Sequence, residues 1–508
     1  MRPPIPIAID GGLVCGVWER NGACTVYKGI PFAAPPVGEL RWRAPQAARP
    51  WSDVLVADRF ASACLQPLHA RDALLSQFGF AEPPECGMSE DCLYLNVWTP
   101  ASRNGERLPV IVWVHGGGHR VGAGSHPVSR GEVLAEKGAV VVTLNYRLGA
   151  LGYLAHPQLT REAGASGNYA CMDVIAALQW VQRNIVAFGG DPRCVTLFGQ
   201  SAGAAIVSVL MVSQRAKGLF QRAIVHSSGR FRGGPMGHTK SLAEAEEDGV
   251  KFTQGLGAST LTELRNLPAD ALYGPRGIWN LIVDGEILRD EVQVFFEHGS
   301  QMDVPVLCGF TRNEATPYPM AELHGREKFL EFAHRTFGAA AGAFLALFPH
   351  DNDAAASLSS YEVRRSMGFA YQPWKLAQLQ QRTARAPVYL FEFDRSVPLP
   401  PGQRFHEAEP PGGFGAYHGS ELWYVFNTLP ARPWPWTETD RRLADVMSTY
   451  WVNFARTGDP NDGEAPRWPP FEAGRGAGML LGDTLRAGAP SNSAALEFFD
   501  EQFNAAKR

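Results

Sequence analysis

Ser201 sits in Gly199-Gln200-Ser201-Ala202-Gly203, a hydroxyl flanked at two residues on either side by glycine. A serine hydroxyl is a weak nucleophile until a base takes its proton and a third group orients that base. The pattern therefore directs attention to a histidine and an acid further along the chain. Small residues around a serine are common by chance, so the flanks must decide. Before it runs Val195-Thr196-Leu197-Phe198, an apolar strand pattern, and after it Ala204-Ala205-Ile206-Val207, a helical one. A strand-to-helix elbow exposes the serine oxygen and aims the free N–H groups of the new helix toward it. His115-Gly116-Gly117-Gly118-His119 follows a second apolar run, Val110–Val114. Glycines there let backbone N–H groups approach a developing oxyanion without side chains in the way. The N–H of Ala202, just after the serine, would join them.

For the acid, Glu314 ends Phe310-Thr311-Arg312-Asn313-Glu314, a turn at the end of another apolar run. Open α/β sheets place functional groups at such carboxyl ends. For the base there are two candidates beyond it. His418 lies among Gly415, Ala416, Gly419 and Ser420, and His406 among Arg404, Glu407 and Glu409. The first setting suits a buried group and the second a solvated one, and both remain open on pattern alone.

The elements needed to hold these groups are legible. Val110–Val114 and Val140–Leu144 are apolar throughout, as strands covered on both faces are. Ile175, Leu178, Val181 and Ile185 recur at helical spacing between Gly167 and Phe188. Further strands are expected at Val195–Phe198, Ala223–Val225, Val304–Gly309 and Val388–Phe393, and a helix at Ala202–Met211. Strands alternating with helices predict an α/β chain with a large, mostly parallel sheet flanked by helices. Residues 320–385 read as helical, a cap inserted over the sheet, and Pro398–Tyr417 as loop. No repeat or flexible linker divides the chain, so residues 1–508 are expected to form a single domain.

Composition narrows the classes. With 45% hydrophobic residues, 13 Trp and 28 Phe in 508, a large core is assured and disorder excluded. A net charge of -4 gives no footprint for nucleic acid or an anionic membrane. No apolar run approaches a membrane span, and the first ten residues lack the apolar stretch of a signal peptide. A cytoplasmic, soluble protein is expected, as a monomer or weak homo-oligomer. The 8 cysteines contain no Cys-x-x-Cys pair, so no metal is expected.

Beyond these patterns the chain resembles the type-B carboxylesterase family. The likeness begins at Lys28-Gly29-Ile30-Pro31-Phe32-Ala33-Ala34-Pro35-Pro36-Val37-Gly38 and continues through Ser89-Glu90-Asp91-Cys92-Leu93-Tyr94-Leu95-Asn96-Val97. Asn145-Tyr146-Arg147-Leu148-Gly149, Phe188-Gly189-Gly190-Asp191-Pro192 and Trp451 to Asn461 carry it onward. The resemblance implies an α/β-hydrolase fold and a Ser201–His418–Glu314 triad. It also implies an oxyanion hole of the Gly117, Gly118 and Ala202 N–H groups, and Ser227 steadying the His–Glu pair. The implied activity is hydrolysis of small to medium carboxylic esters through an acyl-enzyme, with no cofactor and a small-molecule ester as partner. A carbamate or amide hydrolase, or a non-catalytic binding relative, would keep much of the same framework.

The chain departs from the family in places. His119 stands where an aromatic residue is usual, and Gly167-Asn168-Tyr169-Ala170-Cys171 varies a family motif. Family members in oxidising compartments bridge the cysteines matching Cys64 and Cys92, a bridge not expected in a reducing one. Cys15, Cys24, Cys86, Cys171, Cys194 and Cys308 are read as small hydrophobes. His119, Arg230 and Arg232 are candidate walls of the substrate pocket, where they would favour a polar or anionic substrate group. The alternative is that both arginines point to solvent while His119 merely packs.

Overall fold

The computed structural model describes residues 4–19, 22–80, 84, 87–101, 105–233, 237–272, 279–318, 320–473 and 476–505. The apolar runs become strands of one sheet. In chain order they are β1 (Val17–Glu19), β2 (Cys24–Pro31), β3 (Tyr94–Thr99), β4 (Leu108–Val114), β5 (Val140–Leu144) and β6 (Gly190–Gln200). Then follow β7 (Arg222–His226), β8 (Val306–Thr311), β9 (Val388–Phe393), β10 (Gly478–Leu481) and β11 (Leu485–Gly488). In space they lie in the order β11-β10-β9-β8-β7-β6-β4-β5-β3-β2-β1. The stretch from β10 to β5 is parallel throughout, and antiparallel pairs close both edges.

Strand residues alternate between two cores. On β4, Val110, Val112 and Val114 enter one core while Ile111 and Trp113 enter the other. On β7, Ala223 and Val225 face the first and Ile224 the second. Such a strand is apolar at every position because helices cover both faces. The first core takes in α1 (Tyr169–Asn184) and α2 (Ala202–Leu210), through Val174, Leu178 and Ile206. β8 begins two residues later than its apolar run, since Pro305 has no N–H for the ladder, and it leads straight into the Glu314 turn.

Helices fill the segment from Arg326 to Thr383. After Arg326–Phe337 and Ala341–Leu347 come α3 (Asp353–Arg364) and α4 (Tyr371–Thr383). Between α3 and α4 the chain stays helical but bonds as a π-helix over Arg365–Ala370. There Arg365 is buried, pairing with Glu362 at 2.8 Å and Glu392 at 3.0 Å. Residues 398–417 carry no helix or strand. The second core is closed by α5 (Glu438–Thr457), whose Leu443, Met447 and Trp451 face it. A Thr437–Asp440 capping box starts α5, and Gly458 in the left-handed region ends it.

Among the described residues no helix is long and apolar enough to cross a membrane. Cys24, Cys64, Cys92, Cys171 and Cys308 are buried and Cys15 and Cys194 half-buried, while Cys86 lies outside the described residues. Cys64 and Cys92 meet as thiols. Their hydrogen bond, with burial, pushes Cys92 well above the ordinary thiol range.

Candidate active site

Ser201 occupies the elbow between β6 and α2 with φ 54° and ψ -124°, a conformation L-residues rarely adopt. Its N–H donates to the His226 carbonyl at 2.8 Å, and its carbonyl accepts from Ala205 at 3.0 Å. The two flanking glycines have a steric reason. A methyl on Gly203 would stand 2.1 Å from the Val114 carbonyl oxygen, and one on Gly199 would stand 2.4 Å from the Gly203 backbone. The helix can leave the strand at this angle only where both lack a side chain.

The turn after β4 runs against this elbow. A methyl on Gly116 would lie 3.0 Å from the Ser201 Cβ. Gly117 (φ 111°) offers its carbonyl to the N–H groups of Arg120 and Val121, at 3.1 and 3.0 Å. Gly118, His119 and Gly117 all have positive φ, so the chain reverses hand there. Ala202 opens the first turn of α2, where helix N–H groups have no partner within the helix.

His418 and Glu314 are brought together by a clamp between two turns. Asn313 donates its N–H to the Ala416 carbonyl at 2.9 Å, and its side-chain oxygen accepts the Ala416 N–H at 3.0 Å. The His418 Nδ1–H then donates to Glu314 Oε2 at 2.5 Å. Glu314 is fully buried, and its other oxygen accepts the Thr311 N–H at 2.9 Å. With Nδ1 protonated, Nε2 presents a lone pair, and the Gln200 side-chain N–H reaches it at 3.2 Å. The rings of Phe369 and Tyr318 close on the imidazole, with centroids 4.7 and 5.7 Å away. His406 is exposed and bonded through its backbone to Asp72.

Ser201, His418, Gly116, Gly117 and Gly118 all line one cavity of about 600 Å³. Phe78, Phe80, Trp113 and Val128 give it an apolar side, and Arg120 and Arg364 enter it as well. Burial lowers the pKa of three of the histidines around it: His115 is pushed down to about 4, His126 to about 3, and His69 below its ordinary value.

Four expected residues stand differently. His119 is turned away from the cavity, its Nδ1 2.7 Å from the Tyr153 hydroxyl. Burial drives its pKa down to about 3. Arg230 is buried elsewhere, donating to the His238 carbonyl at 2.7 Å and to Thr239 at 3.1 Å. Arg232 pairs with Glu291. None of these three lines the cavity, so its cationic walls are Arg120 and Arg364 instead. The positive φ at Gly117, Gly118 and His119 is the reason for the first swap, because it breaks strand alternation and turns Arg120 inward where His119 was expected. Ser227 is fully buried beside the site, with its N–H on the Gly309 carbonyl. Its hydroxyl has no hydrogen-bond partner among the described residues, so the support it was expected to give the His–Glu pair is not made.

Asn313, Gln200 and Glu421 carry contacts that no sequence pattern singled out. Glu421 accepts from His226 at 3.1 Å, and His226 accepts the Trp451 indole N–H at 3.2 Å, all of it buried. Burial and then the Glu314 charge raise the Glu421 pKa to about 8. Among the described residues no cluster of three side chains could hold a metal ion.

A family model described as the carboxylesterase family matches residues 5–499. The chain belongs to the carboxylesterase family. It is 35% identical over 500 residues to the fumonisin B1 esterase of Sphingopyxis macrogoltabida, covering 94% of this chain and 86% of that one. Para-nitrobenzyl esterase of Bacillus subtilis (strain 168) is 34% identical over 465 residues, 88% of each chain. Carboxylesterase 4A of Bos taurus is 32% identical over 482, covering 88% of this chain and 85% of that one. Carboxylesterases are carboxylic-ester hydrolases of the α/β-hydrolase fold, and the eleven-stranded sheet with its helices has that architecture.

Proposed function

We propose that this carboxylesterase hydrolyses small to medium carboxylic esters through an acyl-enzyme on Ser201. The observation that carries the reading is the 2.5 Å His418–Glu314 contact, opening on the same cavity as the strained Ser201 elbow. His418 Nε2 takes the Ser201 proton as Oγ forms a bond to the ester carbonyl carbon. The carbonyl electron pair moves to oxygen, where the N–H groups of Gly117, Gly118 and Ala202 receive it. A single such donor contributes about 3 kcal/mol to the barrier reduction. When the tetrahedral centre collapses, the carbon–oxygen bond to the alcohol breaks and His418 returns the proton to that oxygen. Water repeats the sequence on the acyl-enzyme, releasing the acid and restoring Ser201. Glu314 keeps the proton on Nδ1, and so the lone pair on Nε2, throughout.

The helical segment at about 320–385 acts in this reading as a cap, because it supplies Phe369 and Arg364 to the cavity. A single catalytic unit and a cytoplasmic location belong to the same proposal. The deciding test is Ser201→Ala, assayed against esters, carbamates and amides. Turnover should fall by several orders of magnitude with an unchanged melting temperature. A variant that keeps a tenth of wild-type ester turnover refutes the nucleophile, and faster carbamate or amide turnover in the wild type refutes the ester preference.

A further inference from the structure

The cavity is charged against the grain of the chain. The protein carries more acidic than basic residues, for a net charge of -4. Yet among the described residues lining the cavity there are two arginines and no aspartate or glutamate. His69, His115 and His126 add no charge, since burial lowers the pKa of each of them.

Arg120 stands two residues past Gly118, its backbone tied to the Gly117 carbonyl at 3.1 Å. Its side chain is exposed at the cavity, and among the described residues it has no ion pair and no hydrogen bond. A guanidinium presents five donors in a flat fork, and a carboxylate is the group that takes two of them at once. Arg364 comes from the cap side, its guanidinium 6.0 Å from the Tyr318 ring centroid, and Tyr318 in turn packs on His418. Two acids that act on this region lie outside the lining. Glu322 acts on Arg364 from an exposed position, and Glu407, beside His69, accepts the Leu74 N–H at 2.7 Å.

The π-helical turn contributes to this wall. Arg364 and Phe369 are five residues apart, which in an unbroken α-helix sets them about 140° apart. Here the wider turn between them lets both reach the same cavity. Phe78, Phe80 and Trp113 give the cavity an apolar, aromatic lining as well.

We infer that the pocket selects esters that carry a second, free carboxylate, with Arg120 and Arg364 as the residues that determine this specificity. The inference rests on the esterase reading above. The remainder of the substrate is apolar and lies on the aromatic wall while the carboxylate meets the guanidinium groups.

The experiment uses matched ester pairs on the full chain. One pair sets a nitrophenyl half-ester of a short dicarboxylic acid beside its branched alkyl isostere, with the charge on the acyl side. The other sets an acetylated hydroxy acid beside its uncharged isostere, with the charge on the alcohol side. The readout is the ratio of kcat/KM within a pair, so a general change in activity cancels. Wild type should favour the charged member of at least one pair by about 10-fold or more at low salt. The preference should shrink as salt is added. It should fall toward one in Arg120→Gln and further in Arg120→Gln/Arg364→Gln, with Arg120→Lys in between. A wild-type ratio of one or below in both pairs, or a ratio unmoved in the double variant, overturns the inference. Ser201→Ala separates the two readings. Hydrolysis that survives it, or no hydrolysis of any pair, sinks the esterase reading and this inference together. A Ser201-dependent enzyme indifferent to charge sinks only the inference.

Discussion

At Glu314 one side chain does two jobs. One carboxylate oxygen holds the Thr311 N–H and closes the turn, and the other holds the His418 proton. Glu314→Gln should therefore preserve the fold while allowing the wrong imidazole tautomer. A loss in kcat on the order of 1,000-fold or more is expected, with little change in melting temperature. A loss under tenfold would remove Glu314 from the mechanism. His406→Ala is the matching comparison in the other loop histidine, exposed and held by its backbone alone, and should keep most of the activity. The burial of His418 and the exposure of His406 were visible in their neighbours, small residues against charged ones. The Asn313 clamp was not, because a side chain that bonds backbone atoms about a hundred residues away leaves no local pattern.

Among the elements, the elbow is the most tightly specified. Gly203→Ala would press a methyl onto the Val114 and His115 carbonyl oxygens, at 2.1 and 2.7 Å. Overpacking of this kind costs about 1–3 kcal/mol. Melting temperature and activity should fall together, in contrast to Ser201→Ala, and an unshifted melting temperature would mean the helix can back away from the sheet. The strands were legible for a simple reason. A strand covered on both faces is apolar at every residue, and β4, β5 and β8 announce themselves as unbroken runs. The pocket walls were not legible. Arg120 follows residues of positive φ and Arg364 precedes a π-helical turn, and at both places the periods of two and 3.6 that link sequence to facing direction break down.

Over the whole molecule, buried titratable groups set the pH range of stability. Burial holds His115 at about 4 and His119, His126 and His226 at about 3, against 6.5 when free. Between those values the unfolded chain binds protons that the folded one refuses, so stability is lost as pH falls below 6.5. Glu421 works the other way. With a pKa of about 8 against an ordinary 4.5, the folded chain keeps a proton the unfolded one releases, and stability declines as pH rises through that window. Glu132, raised by burial to about 7, acts in the same direction as Glu421, and below 6.5 the four imidazoles outweigh these two carboxyls. The melting temperature should drop steeply from pH 6.5 to 4.5 and decline gently from 6.5 to 8, and Glu421→Gln should weaken the gentle decline, most clearly between pH 7 and 8. A melting temperature constant from pH 7 to 4.5 would show that these imidazoles take up protons without unfolding.

The π-helical stretch between α3 and α4 has one further consequence, for how such a pocket changes in evolution. Insertions and deletions are ordinarily confined to loops, since a residue gained or lost inside a helix rotates everything beyond it. A turn closed by i→i+5 bonds already stores one surplus residue. Loss of Gly368 would let the stretch relax to ordinary α-helical bonding while α3 and α4 keep their present faces toward the cores. Arg364 and Phe369 would then be four apart and still neighbours on one face. The pocket wall can thus be re-spaced by a single codon gained or lost, leaving the sheet that holds Ser201 and Glu314 undisturbed.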